Sequence, residues 1–124
     1  MKLEDILFFK TEQGFVFRLE DVWYIEVVNG EYYIHMHNDN DFQLDIVDYM
    51  MLTTKLMSVY QNYYMCDNGF VFNLCDVMSI NLVVHEELEQ AGVYIYNGKH
   101  EDTDTCIVIS KNDYDMIINK LNIC

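Results

Sequence analysis

A fifteen-residue stretch, residues 14–28, returns 55 positions later at residues 69–83. Nine of the fifteen pairs are identical, among them Gly14/Gly69, Phe15/Phe70, Phe17/Phe72, Leu19/Leu74, Asp21/Asp76 and Ile25/Ile80. Agreement of this kind inside a 124-residue chain marks a duplicated unit, and a fixed internal period constrains the architecture more than any local signal.

Each unit reads as strands followed by a helix. In the first, residues 6–11 form an apolar strand, Glu12-Gln13-Gly14 a turn, and Phe15, Phe17 and Leu19 alternate along a second strand. Residues 63–66, Asp67-Asn68-Gly69 and then Phe70, Phe72 and Leu74 repeat the pattern. A third strand begins at Val22 and at Val77. Alternation turns Trp23, Ile25 and Val27 inward, matched by Met78, Ile80 and Leu82, and leaves Tyr24 and Glu26, or Ser79 and Asn81, outward. Asn29-Gly30 is a two-residue hairpin signal. The fourth strand turns Tyr32, Ile34 and Met36 inward and Tyr33, His35 and His37 outward; its counterpart turns Val93 and Ile95 inward and Tyr94 and Tyr96 outward, with Tyr96 matched to His35. Short fifth strands cover residues 42–44 and 107–109.

A helix closes each unit. Asp45 and Ser110 are good N-caps, with Asp48 and Asp113 three residues on, near the positive end of the helix dipole. Helical spacing gives Ile46, Tyr49, Met50, Thr53, Leu56, Met57 and Tyr60 as one buried face, and Tyr114, Ile117, Ile118 and Leu121 as the other. The helices align at an offset of 65, so the second unit carries about ten more residues, six expected within 84–91 and four within 99–105. The expected architecture is α+β: two tandem pseudo-symmetric repeats, each an antiparallel β-meander of four to five strands followed by one α-helix. The units are 1–61 and 62–124, the second with two acidic loop insertions. No Gly-, Ser- or Pro-rich linker divides them, so they are expected to pack as one body about a pseudo-two-fold.

Charge points to function. There are 21 acids against 7 bases, a net charge of −14, in a chain that is 52% apolar and hence no disordered tail. Such a charge disfavours non-specific binding to nucleic acid or anionic membrane and fits a basic partner better. No leader-like segment and no apolar run of about 20 residues is seen, so a cytoplasmic location is expected, the host cytosol if the chain is phage-encoded. The cysteines, Cys66, Cys75, Cys106 and Cys124, make no close-spaced framework and read as reduced thiols.

No enzyme signature emerges: there is no phosphate-cradling glycine loop, nucleophile elbow or zinc-protease motif. His35 and His37 on one strand face, near Asp39 and Asp41, are weak metal-ligand candidates, and no cofactor is expected. Glu86, Glu87 and Glu89, with Glu101, Asp102 and Asp104, crowd six acids into the surplus loops and their flanks. Tyr24, Glu26, Tyr33, Tyr94 and Tyr96, together with Arg18 and His35, form a tyrosine-rich sheet face, either of the kind that supplies interface anchors or the face on which the two copies meet each other. These acids, the tyrosines and Glu26 are the expected partner-binding set. The expected function is a non-enzymatic acidic inhibitor from a phage or mobile element, of anti-CRISPR or anti-restriction type. It would mimic nucleic acid and block a basic nucleic-acid-binding surface on a host effector, with no direct nucleic-acid contact of its own. An immunity protein neutralising a basic toxin nuclease, or a small metal- or ligand-binding protein, are the alternatives.

Overall fold

A computed structural model describes residues 7–38, 40–85, 88–95 and 105–121, with side chains for all of these but 83–85, 88, 89 and 105. The described residues form an α+β fold of antiparallel strands and two helices. β1 (Phe8–Lys10) and β2 (Val16–Arg18) make a two-stranded ribbon, and a 3₁₀ turn, Leu19–Asp21, leads into β3 (Val22–Val28), β4 (Glu31–Met36), β5 (Asp41–Leu44) and α1 (Ile46–Val59). The same order follows again: a ribbon of β6 (Tyr63–Met65) and β7 (Val71–Asn73), a 3₁₀ turn, Leu74–Asp76, then β8 (Val77–His85), β9 (Leu88–Ile95), β10 (Thr105–Ser110) and α2 (Lys111–Leu121).

Both ribbons close in the same way. Thr11 N donates to Phe15 O at 2.9 Å and Gly14 N to Thr11 O at 3.0 Å; Cys66 N donates to Phe70 O at 2.8 Å and Gly69 N to Cys66 O at 2.9 Å. The turns need φ of +98° at Gly14 and +94° at Gly69, where any side chain is strained. Each helix start is tied to its own ribbon by a buried carboxylate. Asp48 accepts the Glu12 N–H at 3.1 Å, and Asp113 accepts the Asp67 N–H at 2.9 Å and the Tyr64 hydroxyl at 2.7 Å. The caps are those expected: Asp45 Oδ1 accepts from Asp48 N at 2.7 Å and Ser110 Oγ from Asp113 N at 3.1 Å.

The sheets cross the boundary between the halves. One has five strands in the order β5-β4-β3-β7-β6, so the second ribbon pairs with β3 of the first half, Tyr24 opposite Phe72 and Ile25 opposite Val71. β8, β9 and β10 form a separate three-stranded sheet. A two-fold axis is thereby excluded, because it would carry the β3–β7 pairing onto β8 and β2, which are not neighbours.

The second ribbon is wedged between two cores. Tyr63 and Val71 join Leu19, Val22, Ile25, Leu52 and Leu56 in the first; Tyr64 and Phe72 join Val93, Ile95, Ile107 and Ile117 in the second. Val71 and Phe72 are both fully buried, a contribution of about 1.5–3 kcal/mol each. β3 is buried on both faces because a core packs on each, and a bulge between Val22 and Tyr24 breaks its alternation. Val22 and Ile25 therefore face the first core, while Trp23 and Tyr24 enter the second. This corrects the expectation that Trp23 shares a face with Ile25 and that Tyr24 points to solvent. Met78, expected inside, is exposed, as are Ile46, Met50, Met57 and Ile118 of the expected helix faces. Leu52 takes a place in the first core that the helical reading had not given it.

The register also relocates the insertions. Val22 faces Met36 and Val77 faces Ile95, so the offset rises from 55 to 59 across the β8–β9 turn; His35 faces Asp41 and Tyr94 faces Cys106, so it reaches 65 between β9 and β10. Four surplus residues thus fall in the first segment and six in the second, the reverse of the expected split. His35 corresponds to Tyr94, not to Tyr96.

Candidate functional site

A crevice lies between the first ribbon and the turn joining β4 to β5, lined by Phe17, Arg18, Met36, Asn38, Asn40 and Phe42, with Phe8, Val16 and Asp21 beside them. Alternation along β2 sends Phe17 into the first core and Arg18 outward. The turn is held at three points. Asn38 Oδ1 accepts from Asn40 N at 3.1 Å, an Asx turn; Met36 N donates to Asn40 O at 2.9 Å; and His37 N donates to Asp21 O at 2.8 Å, fastening the turn to the 3₁₀ segment. The floor is apolar (Phe17, Met36 and Phe42), and the exposed rim carries one guanidinium and two carboxamides.

Arg18 Nη1 is 3.3 Å from Glu20 Oε1 in an exposed pair that holds the side chain only weakly. Lys10 leaves the same face of the ribbon, opposite Val16, and Lys55 Nζ donates to Phe8 O at 2.9 Å. Three of the five bases among the described residues thus surround the first ribbon; Lys111, paired with Asp115 at 2.7 Å, and Lys120 are on α2. Arginine and asparagine are the side chains whose planar, paired groups match guanine and adenine edges in a major groove.

On the neighbouring face of the five-stranded sheet, His35 Nδ1 is 2.9 Å from Asp41 Oδ1, Nε2 is 3.7 Å from Glu26 Oε1, and the ring stacks on Tyr24 at 4.4 Å. The Nε2 distance is too long for a hydrogen bond, and that buried atom has no hydrogen-bond partner among the described residues. The Tyr33 hydroxyl donates to Glu31 Oε2 at 2.6 Å, and this bond raises the phenol above its ordinary pKa. Asp76, in the second 3₁₀ turn, is raised by burial and partly lowered again by His37. Burial pushes the Cys66 thiol well up, which leaves it inert.

Of the expected partner-binding residues that are described, Glu26 and Tyr33 are cross-strand neighbours beside the Tyr24–His35 pair, and Tyr94 is apart from them on another sheet. Tyr24 is buried in the second core; Glu26 and Tyr33 are half-buried on the five-stranded sheet; Tyr94 lies on the three-stranded one. Tyr96, Glu86, Glu87, Glu101, Asp102 and Asp104 lie outside the described residues, and of Glu89 only its backbone pairing with Val84 is given. His35 lies on β4 and stacks on Tyr24, whereas His37 lies beyond the strand's end in the following turn, near Trp23, and no three His, Cys, Asp or Glu among the described residues are grouped to hold a metal ion. The crevice at Arg18, Asn38 and Asn40 was missed by reading the sequence. Asn38 and Asn40 flank Asp39 in what reads as an ordinary polar turn, and Arg18 approaches them only through tertiary packing.

No family model and no curated protein matches the chain. Among solved structures the chain is similar to the LytTr DNA-binding domain of a response regulator from Bacillus cereus, with a TM-score of 0.56, 16% identity and 94% of each chain covered. At that identity the likeness is one of fold. It corrects the expectation of an acidic inhibitor of anti-CRISPR or anti-restriction type, and with it that of a basic protein partner and no direct nucleic acid: over nearly its whole length the chain has the fold of a DNA-binding domain. The inhibitor and immunity-protein readings both rested on net charge, which bears on solubility and association rates and carries no information about fold.

Proposed function

We propose that the chain is a non-catalytic DNA-contacting domain, cytoplasmic, that reads duplex DNA with the β4–β5 turn and Arg18. The observation that carries this is the convergence of Arg18, Asn38 and Asn40 on one exposed rim, in a fold shared with a LytTr DNA-binding domain. The net charge of −14 shapes how such contact works. Phosphate neutralisation supplies most of the affinity of ordinary DNA-binding proteins, and it is weak here. Contact through amides and one guanidinium relies on base-edge hydrogen bonds, worth about 1–3 kcal/mol per good bidentate pair. With Lys10 and Arg18 the cations on that face of the ribbon, the log–log salt slope is expected to be no steeper than about −1.8, against about −10 for a strongly basic binder. Fluorescence anisotropy on a pool of randomised duplexes at low salt, with selection of the bound fraction, tests this. Binding that disappears in the Asn38→Ala, Asn40→Ala and Arg18→Ala variants supports the proposal; no binding at ~10⁻⁴ M protein, the weak end of non-specific affinity, refutes it.

The chain is further read as two units, 1–61 and 62–124, packed as one body and related by a translation with rotation. The support is the recurrence of the ribbon turn, the 3₁₀ turn and the β3 and β8 bulges at an offset of 55, and of the Asp48 tie as the Asp113 tie at an offset of 65. An experimental structure in which residues 7–28 and 62–83 do not superpose would remove this reading.

A further inference from the structure

The translational relation leaves each end of the molecule with half of a junction whose other half is visible at its centre. At the centre, ribbon β6–β7 pairs with the edge of β3 and packs on Val22, Ile25 and Leu56, all fully buried. Among the described residues, one unit earlier β2 pairs with β1 alone, and one unit later β8 pairs with β9 alone, which leaves its other edge free.

Exposure follows this asymmetry at every counterpart. On the ribbons, Val71 is 0% exposed but Val16 60%, and Tyr63 is 8% exposed but Phe8 43%. On the strands, Trp23 is 7% exposed but Met78 55%; Val22, Ile25 and Leu56 are fully buried, while Val77, Ile80 and Leu121 are only half-buried. The glycines agree. A Cβ on Gly69 would lie 3.0 Å from Val27 Cγ2 and 3.4 Å from the Tyr49 hydroxyl, whereas one on Gly14 would meet nothing within 4 Å. Ribbon-side and strand-side residues therefore form two complementary, unfilled halves of one junction.

Resting on the duplication reading, we infer that a second copy of this chain docks head to tail, its β1–β2 ribbon adding to the free edge of β8. The central register, Tyr24 opposite Phe72 and Ile25 opposite Val71, sets the intermolecular one: Ser79 opposite Phe17 and Ile80 opposite Val16. Backbone pairing at a sheet edge supplies the attachment, and Val16 and Phe8 cover Val77, Ile80 and Leu121. Met78 enters the crevice over Phe17, Met36 and Phe42, the place of Trp23 in the central junction. Tyr49 donates to Gly69 O at 2.6 Å, and Tyr114 is its counterpart for Gly14 O of the docked ribbon. The ribbon brings Lys10 and Arg18 to a chain of net charge −14, which lessens the repulsion between copies. Arg18 keeps access to DNA, because its counterpart Asn73 stays half-exposed beside β3.

Such an interface is heterologous, so it extends beyond a dimer unless the rotation closes a ring. Sedimentation velocity across a concentration series, with Val16→Glu and Met78→Glu and circular dichroism to verify folding, tests it. Wild-type protein is expected to grow beyond a dimer, and each variant alone to remain monomeric. An equimolar mixture is expected to form a dimer and stop, because only the free β8 of the Val16→Glu copy can take the intact ribbon of the Met78→Glu copy. A monomeric wild type at millimolar concentration, association persisting in both variants, or a mixture that stays monomeric overturns the docking. Val71→Glu separates the two ideas: its unfolding leaves the duplication reading standing whatever sedimentation shows, and its tolerance to the degree of Val16→Glu removes that reading itself.

Discussion

Gly14 and Gly69 occupy the same turn in the two ribbons, with φ of +98° and +94°, so alanine at either meets nearly the same backbone strain, about 1–2 kcal/mol. Their surroundings differ. At Gly14 the new methyl enters open space; at Gly69 it lies 3.0 Å from Val27 Cγ2, a β-branched side chain with little rotameric freedom, and 3.4 Å from the Tyr49 hydroxyl. Relieving that contact means moving β3 or the turn. Moving the turn also stretches the 2.6 Å bond from Tyr49 to Gly69 O. Overpacking of this kind costs about 1–3 kcal/mol, and a loosened hydrogen bond adds about 0.5–1.5 kcal/mol. Gly69→Ala is therefore expected to destabilise by ~1.5–4.5 kcal/mol more than Gly14→Ala. For a chain of this length that is roughly 4 °C in Tm per kcal/mol. Urea titration of both variants by circular dichroism, at low micromolar concentration to keep copies apart, gives the difference directly. Equal losses, or a larger one at Gly14, would refute the argument that the second ribbon is wedged against β3 and α1.

Asp113→Ala strands the buried Tyr64 hydroxyl and takes the acceptor from the part-buried Asp67 N–H, and is expected to cost about 2–5 kcal/mol in the same titration; Tyr64→Phe should cost less, since Asp113 keeps its bond from Asp67. Burial raises Asp76 above its ordinary value of 3.8, so its contribution to stability is fully present below that value and is lost as pH rises through the higher folded value. Asp76→Asn should accordingly stabilise the chain at pH 7, with the gain fading on acidification towards 3.8; a gain constant with pH would contradict the assignment. Native-state alkylation read by mass spectrometry should modify Cys106 and leave Cys66 untouched until the chain unfolds, because Cys66 is 4% exposed with its thiol pushed up by burial.

Local chemistry sufficed for much of this fold. The glycine turns, the strands that follow them, Asn29-Gly30, and helix starts at Asp45 and Ser110 are all legible in the sequence because each depends on residues a few positions apart. The 55-residue offset is legible too, since side chains are compared without knowing where they lie. What the chain could not reveal by itself is which ribbon pairs with which strand. That choice joins Tyr24 to Phe72 across 48 residues and is made by burial of both faces of the second ribbon, a gain that exists only once two cores have formed. Burial of Tyr24 follows from the same event, as does the parting of Trp23 from Ile25. The rim of Arg18, Asn38 and Asn40 was hidden for a related reason: composition weighs every acid alike, whereas the fold decides which few polar groups share one edge. A net charge of −14 therefore described the surface as a whole and could not locate a site on it.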